Sequence, residues 1–420
     1  MNPFRSFRSV VRFRSPELRP TARRLATAAS VSDMRRLAKR RLPKGVFGYI
    51  DGGAEDERTL DRNVSGFSRL EFQPRILRDV SNIDTRSELF GRSLPAPLIL
   101  APTGFTRIAD PEGELAVARA AARLGLPYSL STMGTRSIEE VAAVSNGPKW
   151  FQVYAWRDRG LVADLIARAA ASGYETIMLT VDTAVLGRRE RDLRNGLTLP
   201  PKIGLDTIID GILHPAWTYG LLSNDPITFA NVSGRTGVDG STAITLSEYT
   251  NSQFDAALSW DDVAWLREHW TGPIVLKGVQ TVADAKLAVD HGVEGIALSN
   301  HGGRQLDDAP AIVELIEPVV DAVGGQVAII ADGGIRRGSD ILKALALGAD
   351  GAMIGRAYLY GLGAGGEAGV DHVLEFLLDG LRRSMALTGC REISEISREL
   401  VTWRDGPSSP AVDQLEGPQT

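Results

Sequence analysis

A chain of 420 residues with 43% apolar residues, 24% charged residues and 44 glycines has enough apolar sequence for a large core and enough glycine for many tight loops. Its formal net charge of -5 argues against nucleic acid as a main partner, and no stretch reaches the roughly 18 apolar residues of a membrane span. A single cysteine, Cys390, excludes an internal disulfide and a Cys-based zinc site and points to a reducing, cytoplasmic setting.

The first 30 residues carry seven arginines against the single acid Glu17, with no apolar h-region behind them. Residues 1–30 read first as a solvated, disordered tail, with a transit peptide or a basic arm for an anionic membrane surface as alternatives. Globular composition begins at Val31. A helix is expected over Val31 to Arg41 with Ser32 as its cap. After Pro43, an aromatic stretch carrying Tyr49 runs into a glycine turn and an acidic helix start at Glu55 to Glu57.

From residue 95, short apolar runs of β type alternate with helical patterns at intervals of roughly 20 to 35 residues. The runs are Leu98 to Pro102, Tyr128 to Ser131, Trp150 to Tyr154, Thr176 to Val181, Ile274 to Gly278, Ile296 to Asn300, Ala328 to Asp332 and Ala352 to Gly355. Strand and helix repeated eight times predict a closed parallel (β/α)8 TIM barrel over residues 31–405, with an open doubly wound sheet as the competitor. The strand ends favour closure. Nearly every run finishes in polar groups: Thr103, Ser131, Gln152 with Tyr154, Thr180 with Asp182, Lys277, Ser299 with Asn300 and His301, Asp332, and Arg356. An open sheet would use mainly the ends near its switch point. Each residue alone is as well explained by a strand-end hydrogen bond; eight ends together point to a site.

Roughly a hundred residues separate the fourth run from the fifth. This insertion, about 195–254, is rich in Gly, Pro, Ser and Thr yet contains the apolar segment Ile212 to Leu222. It reads equally as a rim helix packed on the barrel and as a lid or partner-facing element. In the second case Trp217 and Tyr219 would sit at a headgroup interface, and with the N-terminal arginines would hold the protein peripherally on the inner face of the cell membrane. Residues 406–420 are expected as a C-terminal tail.

The seventh and eighth strand ends, Asp332-Gly333-Gly334-Ile335-Arg336-Arg337-Gly338 and Ile354-Gly355-Arg356, put glycines and arginines where barrels often bind phosphate, through exposed N–H groups and a helix N-terminus. Just downstream, Gly361 to Gly366 matches G-x-G-x-x-G but begins no strand-turn-helix unit, and reads as a loop leading into the last helix. The densest chemistry lies at Ser299-Asn300-His301-Gly302-Gly303-Arg304-Gln305-Leu306-Asp307, where a base and a fixed cation share one strand end. The plainer alternative there is a strand-capping His and an Arg paired with a nearby carboxylate.

Ser299 to Asp307 resembles the signature of the FMN-dependent alpha-hydroxy-acid oxidase and dehydrogenase family. Similar blocks follow in family order: Gly53 to Glu57, Ala101 to Gly104, Pro111 to Glu114, Leu179 to Asp182, Gly187 to Glu190, Leu276 to Gly278, Asp332 to Arg337 and Ile354 to Arg356. The Arg-rich lead-in and the Ser131-Thr132-Met133 block are most similar to the bacterial L-lactate dehydrogenase branch. The resemblance implies FMN at the C-terminal ends of a barrel's strands. It implies His301 as the active-site base, Asp182 as the carboxylate that orients it, and Arg189, Arg304 and Tyr49 as the substrate-carboxylate contacts. Tyr154 would meet the substrate hydroxyl and Lys277 the flavin pyrimidine edge. Ser131, Gln152 and Thr180 would contact the flavin ring, Asp332 the ribityl chain, and Arg336, Gly355 and Arg356 the phosphate, with Thr103 and Gly334 also among the cofactor-binding residues. It further implies a homotetramer, no metal, and oxidation of an L-2-hydroxy acid such as L-lactate to pyruvate. The electrons would pass to a quinone or another acceptor. Met133 and Gly104 tilt the reading away from the alternative, an oxidase that uses oxygen and releases hydrogen peroxide. A barrel that keeps FMN without turnover is a further alternative. A zinc hydrolase is disfavoured, because no second His stands near His301 at ligand spacing.

Overall fold

The computed structural model of the protein describes residues 20–196, 204–232 and 252–404. Eight parallel strands close into a barrel: β1 (Leu98–Leu100), β2 (Tyr128–Ser131), β3 (Lys149–Tyr154), β4 (Thr176–Thr180), β5 (Ile274–Val279), β6 (Gly295–Ser299), β7 (Ala328–Asp332) and β8 (Gly351–Ile354). Each strand pairs with its neighbours in sequence, and β8 closes onto β1 through Ala352 opposite Leu98. The expected TIM barrel is therefore the fold, with strand bounds within two residues of those read from the apolar runs.

Alternation along the strands builds the interior in layers. Ile99, Trp150, Met178, Val275, Ala297, Ile330 and Met353 form an apolar cluster distinct from the larger core under the helices. Two residues further along the same strands stand Gln152, Thr180, Lys277, Ser299 and Asp332. The C-terminal mouth is polar because these five strands change character after their last apolar inward residue. At the other end a hairpin of Ser87–Leu89 and Arg92–Leu94 closes the barrel, with Leu89 and Leu94 in the inner cluster and Phe90 against Trp150.

The helices keep their expected places. Ser137 caps Ile138–Val144 in a capping box with Glu140, and Thr281 caps Val282–Asp290. Helix Val31–Arg41 begins as expected, but its cap is Ser30, not Ser32: extended Ser30 accepts the Asp33 N–H. The Tyr49 stretch is itself a helix, Lys44–Asp51. Within the Arg-rich lead-in Pro20–Leu25 is helical and Leu25 is buried, so the packed body reaches back at least to Leu25. Residues 1–19 and the expected tail 406–420 lie outside the described residues.

Gly361 to Gly366 is not a loop: helix Arg356–Gly365 runs through it and Gly366 caps the end. Its glycines serve close packing. A Cβ at Gly361 would lie 2.4 Å from the Gly369 carbonyl oxygen of the following helix, Glu367–Thr388, and one at Gly363 would lie 2.8 Å from Leu42 Cδ1.

In the insertion, Leu205–Leu213 and Pro215–Leu222 are helices, while residues 197–203 and 233–251 lie outside the described residues. The Trp217 indole N–H donates to the Ile108 carbonyl at 2.7 Å, so this half-buried ring anchors its helix to the barrel; Tyr219 is exposed. Arg107 donates to the carbonyls of Asp225 and Pro226, and the segment then buries Phe229 and Val232.

Candidate active site

The polar mouth opens into a cavity of about 530 Å³, a size suited to a small-molecule site. Its walls bring together all the residues expected from the sequence except Asp182, which stands behind His301.

His301 lies just past β6 with φ +57°, a left-handed conformation that turns its ring across the barrel. Its Nδ1 is 3.0 Å from Asp182 Oδ1, beyond the end of β4. Gly278 makes this approach feasible: it sits at a register shift between β5 and β6 with φ +110°, and a Cβ there would come within 2.7 Å of Asp182 Cβ. Burial lowers the His301 pKa below 6.5; Asp182 pulls it upwards, while Lys277 and Arg189 push it down again. Burial alone would raise the Asp182 carboxyl, but the charges and hydrogen bond of His301 and Lys277 outweigh it and hold it below its usual range. The pair at neutral pH is an ionised carboxylate and a neutral imidazole. Such a pair places the proton on Nδ1 and leaves Nε2 with a free lone pair.

Lys277 is buried and ion-paired to Asp332 at 3.1 Å. Burial would lower its pKa, yet the Asp332 and Asp182 charges raise it, so it stays an ammonium. Between these two groups lies Ser299, the first residue of the signature stretch, to which the sequence assigns no role of its own. Its hydroxyl accepts from Lys277 Nζ at 3.0 Å and from the His301 N–H at 3.1 Å, and donates to Asp332 at 2.8 Å. One hydroxyl with all its bonding capacity used thus fixes the base, the cation and the acid relative to one another.

Two guanidinium groups face the cavity from separate loops. Arg189 has its Nε buried without a hydrogen-bond partner. Arg304 lies over the Tyr49 ring, 4.9 Å from its centroid, and donates to the carbonyls of Tyr49 (2.7 Å) and Gly52 (3.1 Å). Burial and then the Arg189 charge push Arg304 down to about 9, the mark of a cation that an incoming anion would compensate. The Tyr154 phenol is held above its ordinary range by burial and by Asp182, so it remains a proton donor. Asp192, absent from the sequence reading, also lines this wall, and burial raises its pKa.

FMN, the group the resemblance implies, fits the opposite half. Gln152 has a buried, unpartnered Nε2 while its Oε1 accepts from Ser131, so an amide donor is free for a ring acceptor. Thr103 and Thr180 line the same wall. At the phosphate end Gly334 has φ +77°, and a Cβ there would fall 1.7 Å from the Asn63 carbonyl oxygen, so only glycine is tolerated. The N-terminus of helix Gly338–Ala346 is already occupied by Asp340, which accepts from the N–H groups of Arg336 and Arg337. The N-terminus of helix Arg356–Gly365, with Gly355 as an uncapped lead-in, is the one left open to an anion. Arg356 gives three N–H groups to the carbonyls of Ile50, Gly302 and Gly52, leaving two of five for a phosphate.

Residues 38–403 match the family described as FMN-dependent dehydrogenase. The chain is 46% identical over 388 residues to the glycolate oxidase of Spinacia oleracea, covering 92% of this chain and 99% of that one. It is 43% identical over 375 residues to an L-lactate dehydrogenase of Haemophilus influenzae strain PittEE, covering 88% and 97%. Among solved structures, the monotopic membrane protein (S)-mandelate dehydrogenase superposes with a TM-score of 0.86 at 39% identity, over 90% of this chain and 100% of that one. Agreement on this scale across nearly the whole length, with the barrel and cavity just described, makes the chain a member of the FMN-dependent dehydrogenase family, with FMN as its cofactor.

Proposed function

We propose that the protein oxidises an L-2-hydroxy acid, L-lactate to pyruvate in the first instance, with His301 as base. One observation carries the reading: a neutral imidazole backed by a buried carboxylate shares a cavity with two guanidinium groups on separate loops. Arg189 and Arg304 hold the substrate carboxylate, the Tyr49 hydroxyl adds a third donor, and Tyr154 meets the C2 hydroxyl. His301 Nε2 takes the proton that the oxidation releases, and Asp182 stabilises the imidazolium that results. Bound FMN supplies the two-electron acceptor. Anaerobic L-lactate is expected to bleach the flavin absorbance of the purified protein, whereas D-lactate leaves it intact; an oxidised spectrum after L-lactate would remove the reading.

The rings of Tyr49, Phe105, Tyr154, Phe229 and Phe254 around the cavity favour a second substrate, an aromatic 2-hydroxy acid. A panel settles the choice: kcat/KM for (S)-mandelate more than tenfold above that for L-lactate replaces lactate with the aromatic acid. Electron transfer to a quinone in preference to oxygen belongs to the same reading, as does a homotetramer. Faster reoxidation of the reduced protein by oxygen than by a soluble quinone would make it an oxidase.

A peripheral membrane seat is part of the proposal. No helix among the described residues is long and apolar enough to cross a bilayer. The two insertion helices nevertheless expose Leu205, Ile208, Ile209, Ile212, Leu213, Tyr219 and Leu222 by half or more of their surface. A structural neighbour is described as a monotopic membrane protein. The protein is expected to float with anionic vesicles at low salt and to lose that binding in Ile212→Asp/Leu213→Asp. Wild-type protein left at the bottom of the gradient would return these helices to a scaffold role.

A further inference from the structure

We propose that Arg191 is the positioning residue of the substrate-carboxylate clamp, strapping the helix that carries Tyr49 to the turn that carries Arg189. The inference rests on the reading of Arg189, Arg304 and Tyr49 as carboxylate contacts. Arg191 stands two residues after Arg189 on the short helix Glu190–Arg194, and its side chain leaves the cavity wall for the neighbouring helix Lys44–Asp51. There Nη1 is 2.8 Å from Asp51 Oδ2, and Nη2 meets Glu57. Asp51 is 4% exposed and also receives Arg35 through Nη2 at 2.7 Å and the Tyr360 hydroxyl at 2.8 Å, so it is a fixed point. Glu57 in turn accepts the Gly53 N–H at 2.9 Å.

Glycines allow the two segments to touch. A Cβ at Gly48 would lie 2.4 Å from Asn195 Nδ2, and one at Gly52 would lie 3.3 Å from Arg191 Cδ. The C-terminal carbonyls of the Tyr49 helix are held by Arg304 and Arg356. Tyr49 and Arg304 are thus parts of one body. The Arg189 turn meets it through the Glu55 N–H on the Arg188 carbonyl at 2.9 Å and the Gly187 N–H on Gln305 Oε1 at 3.1 Å, and Arg191 adds the charged side-chain tie to Asp51 and Glu57. Without that strap the Arg189 arm keeps its charge and its two backbone hydrogen bonds but holds its distance to the other two donors less firmly, and a bidentate clamp depends on that distance.

The test uses the FMN-loaded protein and oxalate, a planar carboxylate with no C2 hydrogen to lose, titrated by the perturbation of flavin absorbance. Arg191→Gln is expected to weaken oxalate binding and raise the KM for L-lactate at least tenfold, with kcat changed less than threefold, and Arg191→Lys to recover part of both. In an Arg189→Lys background the same change should add less than threefold, because the arm being positioned is already impaired. Unchanged oxalate affinity in a folded Arg191→Gln protein overturns the proposal. So do effects of the two substitutions that multiply, or a parallel fall in FMN affinity, melting temperature and oxalate binding that Arg191→Lys does not restore. Oxalate binding needs only the cationic wall, so it tests the strap even if wild-type protein proves not to oxidise L-lactate, the result that would count against the reading of the reaction.

Discussion

His301→Asn is expected to slow flavin reduction by an L-2-hydroxy acid by roughly two to four orders of magnitude, the range for loss of a general base. Asn suits the test because His301 has φ +57°, a conformation that Asn tolerates better than most residues, and because its amide can still donate to Asp182. The barrel, the Ser299 hub and FMN binding should therefore persist while the lone pair is lost. The pH dependence gives an independent check. With burial holding the His301 pKa below 6.5, wild-type kcat/KM should rise with pH through an acid limb centred below 6.5 and then level, since the reactive form is the neutral one. The variant should lack that limb. Stopped-flow reduction at the wild-type rate, or an acid limb retained in His301→Asn, would move the base elsewhere.

Lys277→Met is expected to have the second large effect, on stability and on chemistry at once. Lys277 and Asp332 are side chains 5% and 12% exposed and 3.1 Å apart. Removing one partner of a buried ion pair leaves an uncompensated charge, which costs on the order of 3–5 kcal/mol. Asp182 also loses a nearby cation that helps to hold its carboxyl low. Urea unfolding should show the loss, and adding Asp332→Asn should return much of the stability by removing the stranded charge. Flavin reduction should not return in that double variant, because Lys277 is proposed to stabilise negative charge at the flavin edge. Recovery of both stability and rate would leave Lys277 a structural residue only.

The barrel and most of the site residues are legible in the sequence because they depend on local signals. Period-two alternation ends in polar residues on the strands that carry Gln152, Thr180, Lys277 and Asp332, and the base and one guanidinium share the nine residues from Ser299 to Asp307. What is not local could not be read from residue spacing; the Asp182–His301 pair, 119 residues apart, is expected only through the family resemblance. The Ser299 hub joins β5, β6 and β7, and Asp51 collects donors from Arg35, Arg191 and Tyr360, which lie 16, 140 and 309 residues away. Gly361 to Gly366 shows the same limit in reverse, a phosphate-loop pattern whose glycines instead let helices approach.

The sequence by itself determined the chemistry on offer: a base, a carboxylate, guanidinium groups and a glycine-lined phosphate end, each at a strand terminus, because residue type and strand period are properties of short stretches. Only the tertiary structure decided which side chains share the Ser299 hydroxyl, which helix N-terminus stays open for an anion, and which way Trp217 turns. A hydrogen bond is chosen among donors and acceptors that barrel closure brings within about 3 Å, and that neighbourhood exists only once the chain has closed.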